Sequence, residues 1–299
     1  MDLVDCMKAF VATAQTGSFT EAANRLGMSN RLTSKYVAEL ESRIGTRLLQ
    51  RTTRKVGLTP AGEDLLARAP ALLDELDDLI GSMSEQSKGF TGLLRISAPV
   101  TFGEVYIHAM IRRFAAQHPA LKIDLRLSDA YIDLAKEGID LAFRIGTPSV
   151  SSLKARKLGM LASHLVASPD YVAQYGAPSR PEDLVDHRCI VDTNRRDPSR
   201  WTFIKAGETS TVQTNRHFMV NSARVANEWA IAGEGVAYCP AFVVADAMDK
   251  GALVPLLPDY QMESHPISAV YLSGTVLPRK VRGLIDFALA DIRDKGLLE

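Results

Sequence analysis

Residues 17–62 read GSFTEAANRLGMSNRLTSKYVAELESRIGTRLLQRTTRKVGLTPAG, and this stretch decides the fold of the N-terminal end. Thr20 is placed to cap a helix, with Glu21 in its first turn, where the helix dipole favours an acid. The helical run EAANRL stops at Gly27, and Ser29 can cap the next helix, NRLTSKYVAELESRI. Two short helices meeting at a tight glycine turn form a helix-turn-helix. In the second of them Thr33, Val37, Leu40 and Ile44 follow 4-3-4 spacing and are expected in the core. Asn30, Arg31, Ser34 and Lys35, with Ser29 just ahead, then cluster on the opposite face near the helix start. That end enters the major groove in a helix-turn-helix, where Arg and Lys suit guanine edges and phosphates and Asn pairs with adenine. A solvated charged face is the plainer alternative.

Upstream, Leu3, Met7, Phe10, Val11 and Ala14 recur at helical spacing, so an amphipathic first helix is expected to end at Gly17. Downstream, Leu48–Arg51 and Lys55–Leu58 can pair as a hairpin around Thr52, Thr53 and Arg54. A basic hairpin beside a recognition helix is a wing, suited to phosphate or minor-groove contact. It adds Arg51, Thr53, Arg54 and Lys55 to the candidate DNA contacts. Thr59 then caps a new helix with Pro60 at its first position.

The charge distribution agrees. The 299 residues balance 35 basic against 35 acidic side chains, yet residues 1–60 carry nine Lys or Arg against five acids. Residues 61–88 reverse this, with two basic and seven acidic. A polyanion is therefore expected at the N-terminal end alone. With 46% apolar and 23% charged residues the chain is globular, which excludes a disordered or collagen-like protein. No apolar run reaches the roughly 18 residues of a membrane span, and no secretory signal is visible, so the expected location is cytoplasmic. Cys6, Cys189 and Cys239 lie far apart without CxxC spacing and are expected as buried reduced thiols. GxSxG, HExxH, P-loop and GxGxxG motifs are all missing, so no catalytic residue, metal site or cofactor is expected.

The 17–62 stretch resembles the winged helix-turn-helix of LysR-type transcription regulators. The resemblance is carried by the Ser-Phe-Thr-x-Ala-Ala opening, the Leu-Gly-Met-Ser turn and Leu40-Glu41. It continues in Gly45-Thr46-Arg47-Leu48, Arg51-Thr52 and Leu58-Thr59-Pro60-Ala61-Gly62. Arg31 stands where many members have proline or a small residue, and Thr33 where they often have valine. Farther on it extends through RISAPVTFG, EGIDLAFRIG, LVASPDY and the Pro-Arg-Lys-Val-Arg start of the last helix. It implies a regulator of an operator in double-stranded DNA, switched by a small organic effector.

From Thr59 to about Ser87 the pattern stays helical. Leu65, Ala69, Leu72, Leu76, Leu79 and Met83 form a heptad seam, which needs a partner helix. The resemblance implies dimerisation through it, a tetramer overall and an inverted-repeat operator; docking on its own chain is the alternative. Pro70 removes one helix hydrogen bond, so a kink or break is expected near residues 66–70.

Beyond a Gly-rich hinge at 88–92, strands and helices alternate, which implies a parallel α/β sheet. The whole reading is mixed: a mainly α winged helix-turn-helix (1–58), a long linker helix (59–88) and a two-lobed α/β effector domain (89–299) resembling periplasmic binding proteins. Lobe I takes about 93–162 and 266–299, and lobe II about 163–265. Such folds bind ligands in the crevice at strand ends. Thr101, Ser128, Arg144, Asn221 and Ser222 fall at these places, and similar positions line the effector cleft of the family. An anionic effector is favoured, with Arg144 as countercharge. The alternatives are that Thr101 and Asn221 only cap helices, Ser128 only satisfies a turn, and Arg144 pairs with Asp140 or another acid, leaving an apolar pocket for a neutral ligand. Trp201 is read as packing, with a place at the cleft edge as its alternative, and the acidic runs 74–78 and 182–186 as solvated helix faces. RNA polymerase is a further candidate partner. A solute receptor or an α/β enzyme without DNA binding is the competing class.

Overall fold

The computed structural model describes residues 1–51, 56–82, 89–146, 153–195, 197–273 and 277–298. Three helices open the chain: α1 (Leu3–Thr16), α2 (Phe19–Leu26) and α3 (Asn30–Ile44). Ser18, not Thr20, caps α2, its hydroxyl accepting from the Glu21 N–H at 3.3 Å. Thr20 instead accepts from the Asn30 amide at 2.8 Å, tying the two helices across their turn. Gly27 makes that turn with φ +65°, the left-handed region a Cβ disfavours. Ser29 caps α3 as its spacing implies. Thr33, Val37 and Leu40 are buried against α1, whereas Ile44 is exposed because the helix stops at Gly45.

Strands β1 (Leu49–Arg51) and β2 (Val56–Leu58) pair antiparallel, Leu49 facing Leu58, in the expected hairpin. Helix α4 (Pro60–Ser82) begins at the Thr59 cap. A Cβ at Gly62 would stand 2.0 Å from the Leu48 carbonyl, so this close approach of α4 to β1 requires glycine. Leu66 and Ala69 are buried under the winged domain, and α4 runs unbroken through Pro70. The packing of this first half offsets the hydrogen bond that proline removes.

The effector domain opens with β3 (Gly92–Ala98), then α5 (Val100–Phe102), a π-helical turn (Gly103–Ile107) and α6 (His108–Ala116) as one continuous rod. There follow β4 (Leu121–Leu127), α7 (Leu134–Glu137), β5 (Leu141–Ile145) and β6 (Leu153–Leu161). The chain then crosses into a second sheet with β7 (Ser163–Ala167), α8 (Pro169–Tyr175) and β8 (Cys189–Asp192). A hairpin, β9 (Arg200–Lys205) and β10 (Glu208–Gln213), precedes β11 (Arg216–Val220), α9 (Ala223–Ile231), β12 (Val236–Pro240) and α10 (Ala241–Asp249). After β13 (Val254–Pro255) and β14 (Gln261–Met262) the chain returns with β15 (His265–Leu272) and closes with α11 (Arg279–Asp294).

Lobe I has the strand order β4-β3-β5-β15-β6, and lobe II β11-β8-β12-β7-β13. Lobe I is mixed rather than all parallel: β3, β4 and β5 run together, while β15 pairs antiparallel with both β5 and β6. Strand β6 carries charged residues at alternate and adjacent positions, which hid its strand character in the sequence. Helices α6 and α11 cover one face of lobe I, and α7 sits on the other beside the winged domain. Lobe II is covered by α9 and α10 on one side. On the other lie Tyr171 and the small β10-β9-β14 sheet, where Trp201 is fully buried. All three cysteines are buried free thiols, and burial pushes Cys189 and Cys239 up to about 12.

Candidate nucleic-acid interface and ligand cleft

The winged domain presents the start of α3 to solvent. Ser29, Asn30, Arg31 and Lys35 are exposed and Ser34 is half-buried, because Thr33, Val37 and Leu40 take the opposite face into the core. Arg51 lies in β1 opposite Val56, and Thr53, Arg54 and Lys55 fall outside the described residues. The sequence pattern did not announce the part played by Glu41. Its carboxylate accepts from the backbone N–H groups of Leu48 (2.8 Å) and Leu49 (3.1 Å), and so fixes the base of the hairpin to α3.

Along α4 the seam divides. Leu65 is half-buried and Ala69 buried, while Leu72 and Leu79 are 46% and 54% exposed; Leu76 is half-buried and Met83 lies outside the described residues. The acidic run is not simply solvated. Asp74 pairs at 3.0 Å with Lys280, the second residue of α11, whose side chain is only 3% exposed. Burial raises Asp74 and pushes Asp140 up to about 6, the attraction of Lys280 opposing both shifts. These groups, with Arg25 and Leu73, line a cavity of about 330 Å³ where winged domain, α4 and lobe I meet.

In the cleft, β3, β4 and β5 point their C-terminal ends toward lobe II. Arg144 donates to the Ser128 carbonyl (2.8 Å) and the Ser97 hydroxyl (3.1 Å), not to Asp140. The latter sits four residues back along an extended strand, about 13 Å away at ~3.3 Å per residue, and accepts from the Arg95 N–H. Burial lowers the Arg144 guanidinium, and Asp129 opposes that. Thr101 is buried in the first turn of α5, and the Ser128 hydroxyl accepts from the Ala130 N–H. Ser222 caps α9, and the Asn221 carbonyl accepts from the Asn194 amide at 2.8 Å.

That same Asn194 amide reaches Asp129 of lobe I at 3.4 Å, and Asp129 also accepts the Val100 N–H at 3.1 Å. So Ser97, Thr101, Ser128 and Arg144 share one end of lobe I, and Asn221 and Ser222 approach through an Asp129–Asn194 bridge. Nearby, Arg224 lies 3.6 Å from Glu104, and the Phe102 and Phe242 rings are 5.2 Å apart, both pairs spanning the lobes. Asp129 and Asn194 sit in polar turns whose composition does not distinguish them from ordinary loop residues.

Comparison with known proteins bears on both halves. The family model "Bacterial regulatory helix-turn-helix protein, lysR family" matches residues 4–63, and "LysR substrate binding domain" matches residues 87–293. The chain belongs to the LysR family of transcription regulators. It is 36% identical to an uncharacterised HTH-type transcriptional regulator of Haemophilus influenzae, over 95% of this chain and 99% of that one. The regulator PtxR of Pseudomonas aeruginosa is 37% identical over 93% of this chain and 89% of its own. Among solved structures, the full-length Vibrio cholerae virulence activator AphB superposes with TM-score 0.61 at 28% identity, covering 97% and 99% of the two chains. CrgA of Neisseria meningitidis gives 0.62 at 28% identity, covering 96% and 98%.

This LysR-type protein is thus a DNA-binding transcription regulator with an effector-binding domain, from a family of regulators rather than enzymes. Among the described residues, no helix is long and apolar enough to cross a membrane, and no cluster of metal-binding side chains occurs.

Proposed function

We propose that the protein reads an inverted-repeat operator through Ser29, Asn30, Arg31, Ser34 and Lys35 of α3. Arg51, Thr53, Arg54 and Lys55 add contacts from the wing. The observation that carries this is the exposure of Arg31 and Lys35 at the start of α3, on a helix whose other face buries Thr33, Val37 and Leu40 in the core. The exposed Leu72 and Leu79 support pairing of two chains along the seam of Leu65, Ala69, Leu72, Leu76, Leu79 and Met83. A two-fold protein reads a two-fold site. Pairing between effector domains makes a tetramer, and RNA polymerase is the partner through which a bound regulator acts. The protein works in the cytoplasm, where its operator is.

A small organic effector binds between the lobes among Thr101, Ser128, Arg144, Asn221 and Ser222. It favours one lobe arrangement and so shifts the population of DNA-binding geometries. The test is operator binding with DNA from the upstream intergenic region. Arg31→Ala and Lys35→Ala should each weaken specific binding by about 1–3 kcal/mol while leaving the circular dichroism unchanged. Leu72→Glu with Leu76→Glu should halve the mass seen by light scattering. Wild-type affinity in both α3 variants refutes the interface.

A further inference from the structure

We propose that Arg195 is the anion-recognition residue of the cleft, and that the effector carries a carboxylate that docks on its guanidinium fork. The proposal rests on the cleft reading above and names the ligand chemistry that it leaves open.

The first support is position. Arg195 follows Asn194, whose amide bridges to Asp129 of lobe I. Its Nη2 approaches the hydroxyl of Ser163, the first residue after the chain enters lobe II, at 3.5 Å. His265, the first residue of β15 on the return to lobe I, lies close enough to feel its charge. Arg195 therefore occupies the floor of the cleft, where both crossings and the Asp129–Asn194 bridge converge.

The second support is preorganisation. The guanidinium carbon stands 3.5 Å from the centroid of the Tyr238 ring. That ring is itself fixed: it is buried, its hydroxyl donates to the Glu263 carbonyl at 3.1 Å, and Trp201 packs against it edge-on at 5.7 Å. Stacking on an aromatic face holds the plane of a guanidinium while leaving its in-plane N–H groups for a ligand. A carboxylate matches that fork with two parallel hydrogen bonds.

The third support is availability. Arg144 already spends two donors on Ser97 and Ser128. Arg95, Arg113 and Arg126 each have a carboxylate within salt-bridge distance. Among the described residues no carboxylate lies within salt-bridge distance of Arg195. Asp192 feels its charge, but burial raises that carboxyl and one of its oxygens is taken by the Asn194 N–H. The Arg195 contact with Ser163 is at the outer limit of a hydrogen bond. The other anion-friendly point, the Val100 N–H at the head of α5, is filled by the carboxylate of Asp129, which repels a second anion there. Burial together with Arg195 lowers the His265 imidazole, so that side chain adds a neutral donor or acceptor at the floor without a competing charge.

The test uses the full-length chain with formate, acetate, lactate, succinate and benzoate, each beside its primary amide, read by thermal shift and titration calorimetry. At least one acid should bind about tenfold or more tighter than its amide, as charge-assisted bonds require. Arg195→Gln should remove that preference, weakening the acid about tenfold and leaving the amide within about twofold. Arg195→Lys, which keeps the charge but not the fork, should fall between. Thr101→Val separates the two levels of the argument. Acids that lose affinity in Thr101→Val but not in Arg195→Gln overturn the Arg195 assignment and leave the cleft standing. Acids indifferent to both variants overturn the cleft as well. Amides that bind as tightly as acids, or no response to any acid, overturn anion recognition.

Discussion

Lys280 is the residue whose removal tests how the DNA-binding end is held to the effector domain. Its ammonium is buried at the start of α11, 3.0 Å from Asp74 of α4, and its charge also holds down the carboxyl of Asp140. Lys280→Met keeps most of the apolar stem and deletes the charge. Removing one member of a fully buried pair costs about 3–5 kcal/mol, because the other charge is left without compensation. Asp74 retains 28% of its side-chain exposure and can rehydrate in part, which brings the expected cost to about 2–3 kcal/mol. For an effector domain of this size that is a fall in Tm of about 5–10 °C. The loss is local to the junction, so hydrogen exchange of the full-length chain should speed up across the second half of α4 and the first turn of α11. Lobe II should be unaffected. Adding Asp74→Asn should recover part of the loss, since the stranded charge is then gone. Unchanged exchange in α4 and a Tm within about 1 °C of wild type would refute the idea that this pair joins linker to lobe. Asp140 and Arg144 stand at opposite ends of β5, so the strand physically connects that junction to the cleft.

Three further outcomes are expected. Asp140 ionises near 6 in the folded chain against 3.8 unperturbed, so it binds its proton more tightly when folded. It contributes stability below pH ~4 that is lost as pH rises through about 6, up to roughly 3 kcal/mol. Asp140→Asn should flatten denaturant-derived stability across that window, and an unaltered slope would place the titration elsewhere. Glu41→Ala strands the buried N–H groups of Leu48 and Leu49 and should cost the winged domain about 2 kcal/mol. Operator affinity should fall with it as the wing loosens. Asn194→Asp sets a second carboxylate beside Asp129 and should part the lobes, seen as a larger radius of gyration by X-ray scattering; Asn194→Ala should do so less.

The winged domain was the most legible part because its signals are local. Caps, glycine stops and 3.6-residue spacing each act within a few residues, and they placed α3, the hairpin strands and the start of α4 directly. Where two local options competed, as with Ser18 and Thr20 for the cap of α2, only the contact of Thr20 with Asn30 settled the matter. The buried strands of both lobes were readable from their apolar runs, whereas β6 and the β9–β10 hairpin were not: β6 and β10 are edge strands, which need not be apolar, and β9 buries only Trp201 and Phe203 of its six residues.

Partnerships across the fold were set by the tertiary structure alone. Nothing in the sequence couples Asp74 to Lys280, two hundred residues apart, or turns a solvent-like acidic run into half of a buried pair. Arg144 and Asp140 are neighbours in sequence and were natural partners on paper. Extension along β5 separates them, sending one toward the cleft and the other toward the winged domain. Arg195 reads as one more charge in a polar turn until the return of β12 brings Tyr238 beneath it. Local propensity reports what a segment becomes; the meeting of distant charges depends on chain crossings whose geometry no short window contains.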